Sequence, residues 1–118
     1  MITIMSAGTN HGEDQPADIR VSAHSWPRPP EAFRQMTGLT NEIQVATLMP
    51  NPVVMDYLRM TGEYARTLAA GRGRVLVLVE CAEGLHRSVA GAMFLHGYLT
   101  ELGEEVTVTH RDLWRAET

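Results

Sequence analysis

At 118 residues, with 44% hydrophobic and 20% charged side chains, the chain has the composition of one globular domain spanning 1–118. Ten basic against fourteen acidic residues leave a formal charge of −4, which excludes a global electrostatic attraction to nucleic acid. A single cysteine excludes an internal disulfide and a cysteine-based zinc knuckle and fits a reducing, cytoplasmic setting. No apolar run approaches a membrane span, and Met1-Ile2-Thr3-Ile4-Met5 lacks the basic flank of a signal peptide.

Residues 1–6 read as a short strand ended by Gly8 and the polar stretch Thr9 to Gln15. A second strand is expected from Asp18 to Ala23, where Ile19, Val21 and Ala23 alternate with Arg20 and Ser22. Trp26-Pro27-Arg28-Pro29-Pro30 is neither helix nor central strand and reads as an extended loop. A short helix is predicted from Pro30 to just before Gly38, and Thr37-Gly38 reads as the turn after it. Asn51 as N-cap and Pro52 at the first helical position open a helix to about Ala70, with Val54, Leu58, Tyr64, Ala65 and Leu68 inward.

Val75 to Val79 is apolar without alternation, which suits a strand covered on both faces of a parallel sheet. A helix from about Val89 to Leu102, stopped by Gly103, and a last strand at Val106 to Thr109 complete the pattern. Strands alternating with helices predict an α/β fold, a three-layer sandwich with a mainly parallel central sheet and helices on both faces. The seven methionines are scattered and read as core filling, and His96 as packing or surface. His11, His24, His86 and His110 fall at no metal-ligating spacing, and neither a metal nor a cofactor is expected.

The segment that carries chemistry is Cys81-Ala82-Glu83-Gly84-Leu85-His86-Arg87-Ser88. It joins the buried strand to a helix N-terminus, where backbone N–H groups, the helix dipole and the Arg87 guanidinium all favour an anion. Cys-x5-Arg-Ser resembles the loop of cysteine-dependent phosphatases, which implies Cys81 as nucleophile, Arg87 on the phosphoryl oxygens and Ser88 assisting departure of the thiolate. Two departures oppose that reading. The residue before the cysteine is Glu80, and Glu83 puts a carboxylate in the turn that works against a thiolate and a dianionic substrate. The acid-bearing Trp-Pro-Asp of tyrosine phosphatases appears as Trp26-Pro27-Arg28, leaving only Asp56 or Asp112 as guesses for an acid. The bland alternatives are Cys81 as a buried filler and Arg87 paired with Glu80, Glu83 or Asp112.

A second resemblance covers more of the chain. Ser6-Ala7-Gly8 with His11-Gly12, Ala17-Asp18, Pro27 and Pro29, and Arg34 with Met36-Thr37-Gly38-Leu39 match in order, followed by Cys81, Gly84, His86-Arg87-Ser88-Val89 and His110-Arg111 with Leu113. Together they resemble the C-terminal domain of the RapZ (RNase adapter protein) family. The resemblance implies a regulatory or adapter module that senses the sugar phosphate glucosamine-6-phosphate, binds small RNAs and helps to assemble an oligomer. Carried over by position, His86, Arg87 and Ser88, with the backbone of Ala82, Glu83 and Gly84, would hold a phosphorylated or carboxylated ligand. His11 and His24 would line the same pocket. The family's Gly-Cys-Thr-Gly-Gly is here Glu80-Cys81-Ala82-Glu83-Gly84, and its Asp-x-Arg in the second strand is Ser22-x-His24, so the ligand is expected to differ in detail. The basic tail is reduced to Arg111 and Arg115 among Asp112 and Glu117, so RNA binding is expected to be weak.

Overall fold

A computed structural model describes residues 1–12 and 14–113. In chain order the elements are β1 (Ile2–Gly8), a 3-10 turn (Thr9–His11), β2 (Ile19–Ser22), a 3-10 turn (Glu31–Phe33), α1 (Asn41–Leu48), α2 (Pro52–Arg72), β3 (Val75–Cys81), α3 (Arg87–Glu101) and β4 (Val106–His110). The strands form one sheet in the order β2-β3-β1-β4, every pair parallel. This is the α/β architecture with a parallel central sheet that the sequence predicts.

The registers set Ile2 beside Val75 and Val106, and Val21 beside Val79, so one face carries Ile2, Ile4, Val21, Val75, Val77 and Val79. These side chains join Leu58 and Ala65 of α2 and Ala92, Leu95 and Leu99 of α3 in a single core. The two helical crossovers, β2 to β3 and β3 to β4, travel in the same direction across the sheet. Right-handed crossovers then place both helices on the same face. The β1 to β2 connection travels the other way and would carry the second layer, but among the described residues it holds only the Thr9–His11 turn. Arg20 ties this connection down through Asp14 and the Gln15 carbonyl.

Several local elements differ from expectation. The helix expected from Pro30 to Gly38 shrinks to one 3-10 turn, and α1, which no sequence signal announces, follows it. Thr40 caps α1, its hydroxyl accepting from Ile43 N at 3.3 Å, and Ile43, Thr47 and Leu48 are buried. Asn51 stands at the start of α2, but its side chain makes no capping hydrogen bond there. Tyr64 faces solvent instead of the core. None of the methionines is buried: Met1, Met36, Met49 and Met60 are exposed and the other three are half-buried. Thioethers thus rim the core and do not fill it.

Candidate anion-binding site

The loop after β3 sits at the carboxyl ends of the strands, where parallel α/β sheets place ligands. Two close backbone approaches shape it. A Cβ on Gly8 would lie 2.3 Å from the Glu83 carbonyl carbon, so the end of β1 must be bare for the loop to cross it. Gly84, at φ +74°, makes the reciprocal contact with the Gly8 nitrogen. From the other side, Gly38 N donates to Leu85 O at 2.8 Å, and a Cβ on Gly38 would stand 2.4 Å from His86 O and 2.6 Å from Ala90 N. The Thr37-Gly38 turn therefore backs the loop and the start of α3, which turn propensity alone does not reveal.

Cys81 and Ser88 are buried beneath the loop, with the Cys81 Sγ donating to Ser88 Oγ at 3.1 Å. Glu83 points its carboxylate at neighbours on the chain: Asn10 Nδ2 donates to Oε1 at 2.7 Å and His11 Nε2 lies 3.0 Å from Oε2. These hydrogen bonds, Asn10 first and His11 second, lower its pKa below the usual carboxylate value. Glu80 projects on the side of the sheet opposite α2 and α3 and binds Arg20 at 2.9 Å. Among the described residues, Arg87 therefore pairs with none of the acids suggested by the sequence. Its Nη1 donates to the backbone carbonyls of His24, at 2.7 Å, and Trp26, at 3.3 Å.

His86 begins α3, its ring 2.9 Å from Arg34 O, and no side chain caps the helix. The first turn of α3 also contains no acid. Between the loop and the Trp26–Pro30 segment lies a cleft of about 200 Å³ lined by Arg28, Pro29, Cys81, Ala82, Glu83, Leu85, His86 and Arg87. His11 and His24 stand beside this lining: His11 holds Glu83, and His24 bridges Thr9 and Ser22 at 3.0 Å each while its carbonyl receives Arg87. Gly84 and Ser88 shape the loop from below.

Asp112, one of the two guessed acids, is wholly buried and holds Gly8 N at 2.8 Å and Arg111 Nε at 2.9 Å, so it anchors the end of β1. The other, Asp56, is exposed on α2 and pairs with Arg59 at 2.9 Å. Sequence reasoning misses Arg28 and Pro29 as lining residues; the only available signal is the Trp-Pro-Arg tripeptide, which by itself reads as a loop. Arg115 and Glu117 lie outside the described residues. A larger groove of about 620 Å³, lined by Met1, Thr3, Met5, Arg74 and Leu76 among others, occupies the face of the sheet opposite α2 and α3. It lies toward the amino ends of the strands, away from the convergent polar groups. Among the described residues no helix is long and apolar enough to cross a membrane.

The pattern described as the RapZ C-terminal domain matches residues 1–114. A nucleotide-binding protein of Streptomyces avermitilis is 36% identical over 121 residues, covering 96% of this chain and 40% of its own length. One from Streptomyces coelicolor gives the same identity and coverage, and one from Alkaliphilus oremlandii is 29% identical over 95% of this chain and 41% of its own. The chain thus spans about 40% of these curated relatives. On a match that runs over residues 1–114, the chain belongs to the RapZ C-terminal domain family.

Proposed function

We propose that this domain is a regulatory or adapter module whose cleft between the Cys81–Ser88 loop and Pro29 takes a small anion of the sugar-phosphate kind. The observation that supports it most is the side-chain-uncapped, acid-free N-terminus of α3 opening beside a cleft that Arg87 lines. Glu83 is held by Asn10 and His11, which engages the one carboxylate that opposes an anion there. Calorimetric titration with glucosamine-6-phosphate, inorganic phosphate and glucuronate tests the reading. Saturable binding by the phosphates, lost in Arg87→Ala, is expected; heats that do not saturate would sink it. The phosphatase alternative predicts sustained hydrolysis of an aryl phosphate, abolished by Cys81→Ser, but neither Asp56 nor Asp112 is placed to protonate a leaving group.

Self-association has its own supporting observation. Val53, Tyr57, Met60 and Tyr64 of α2 are 43–76% exposed and recur at spacings of four, three and four, the seam spacing of paired helices. Val45 and Met49 of α1 are exposed just ahead of them. Each presents on the order of 100 Å² to solvent, scaled from what an aromatic side chain buries. The set offers roughly 600 Å² per copy, the lower limit for a stable dimer. Arg59 and Arg66 neutralise Asp56 and Glu63 along its border, so a second copy meets no net charge. Sedimentation at micromolar concentration is expected to show a dimer that Tyr57→Ser with Met60→Ser converts to monomer. A monomeric wild type would contradict this.

A further inference from the structure

We infer that Arg28 is the second guanidinium of the anion cleft and the residue that makes it prefer a phosphate dianion to a carboxylate; this rests on the anion-binding reading above. Arg28 is exposed, lines the cleft, and has no carboxylate within 4 Å among the described residues. Arg20, Arg59, Arg66, Arg72 and Arg111 each pair with an acid, in keeping with a net charge of −4. Arg28, Arg34, Arg74 and Arg87 have no such partner among the described residues, and of these four Arg28 and Arg87 line the same cleft.

The backbone around Arg28 is fixed on both sides. Pro27 and Pro29 restrict φ to one well, so Arg28 sits on a stiff extended strut. Trp26 is buried, its ring packed against α3 where a Cβ on Gly91 would stand 2.9 Å from Cζ3. Arg87 grips the carbonyls of His24 and Trp26, and Arg34 Nε donates to Pro29 O at 3.2 Å. A strut held at 24, 26 and 29 presents residue 28 to the cleft with little backbone entropy left to lose on binding. The side chain it presents is always protonated and donates in a fork that fits phosphate oxygens. It cannot act as the acid that phosphatases place after Trp-Pro. The charge at this position therefore serves binding, and a second cation gains most when the ligand carries a second negative charge.

The test compares wild type, Arg28→Ala and Arg28→Lys by NMR titration at pH 7.5, with glucose 6-phosphate and with glucuronate as the singly charged counterpart. Wild type is expected to favour the phosphate. Arg28→Ala should weaken the phosphate about tenfold or more, the scale of one charge-assisted contact, and the carboxylate by less than about threefold. Arg28→Lys should recover part of the loss, because it restores charge without the fork. Unchanged phosphate affinity in Arg28→Ala, with Gly84 to Val89 still responding, overturns this inference and leaves the cleft assignment standing. Equal weakening of both ligands overturns the selectivity role. No response of Gly84 to Val89 in wild type removes the cleft reading and this inference together.

Discussion

Gly38 shows how one residue can fix the site. Its missing side chain lets the turn lie against His86 O and Ala90 N, which are backbone atoms that cannot rotate away. Gly38→Ala is expected to cost about 1–3 kcal/mol in urea denaturation, the range for overpacking, and to disturb the loop. Gly97 is the contrast: it is helical and exposed, and the methyl that alanine would add there meets nothing within 4 Å. Gly97→Ala should therefore be stabilising by about 0.5–1 kcal/mol. Equal effects at the two positions would contradict the close-approach argument. Cys81→Ser should leave phosphate binding nearly intact, since a hydroxyl can still donate to Ser88 Oγ beneath the loop. Loss of binding would give the thiol a direct role.

His110 supplies a pH signature at the same scale. Burial lowers its pKa below 6.5, and it lies 2.7 Å from Ser6 Oγ. With the folded value depressed, the unfolded chain binds the proton more readily, so stability is complete above pH 6.5 and falls as pH drops below it. Glu83 is also depressed, as a carboxylate, so its contribution is present above 4.5 and lost below it. Thermal midpoints measured from pH 7.5 to 5 should fall in wild type and flatten in His110→Gln. Identical slopes would show that His110 does not carry the effect.

Among the elements, α1 and α2 show what is legible in the sequence. β1, β3, α3 and β4 are readable because their apolar runs and periodicities have one interpretation. α1 escapes detection because eight residues with Ile43, Thr47 and Leu48 inward give a weak period after a proline-rich stretch. α2 is found, yet its faces are misread, because Val53, Tyr57, Met60 and Tyr64 are as apolar as the core side and only packing separates the two. The caps yield a direct comparison. Thr40→Ala should destabilise by about 1 kcal/mol, while Asn51→Ala should cost little through capping, since only Thr40 receives a helix N–H. A larger loss at Asn51, measured by urea denaturation, would reverse that ranking.

Across the whole molecule, the order β2-β3-β1-β4 brings the ends of β1 and β3 under one loop and directs both helical crossovers to one face. The loop can be located from sequence, since Cys81 to Ser88 follows a buried strand and opens a helix. That Arg28 joins the loop cannot, because the contact depends on Trp26 packing against α3 and on Arg87 gripping the strut, both long-range. Charge at this scale also bears on RNA. Arg66 and Arg72, near the end of α2, pair with Glu63, Glu104 and Asp18, which leaves Arg74 as the one member of that group without an acid among the described residues. Structured RNA is therefore expected to bind no tighter than about 10 μM at physiological salt, the weak non-specific regime. Submicromolar, salt-sensitive binding lost in Arg72→Ala with Arg74→Ala would contradict this.

Docking of an anion between the Cys81–Ser88 loop and Pro29 is tested most directly by an amide-resolved NMR titration with inorganic phosphate. Gly84 to Val89 are expected to shift first and saturate at millimolar phosphate, with the groove residues Thr3, Met5 and Leu76 unmoved. Saturating shifts at Thr3, Met5 and Leu76, with Gly84 to Val89 still, would contradict it.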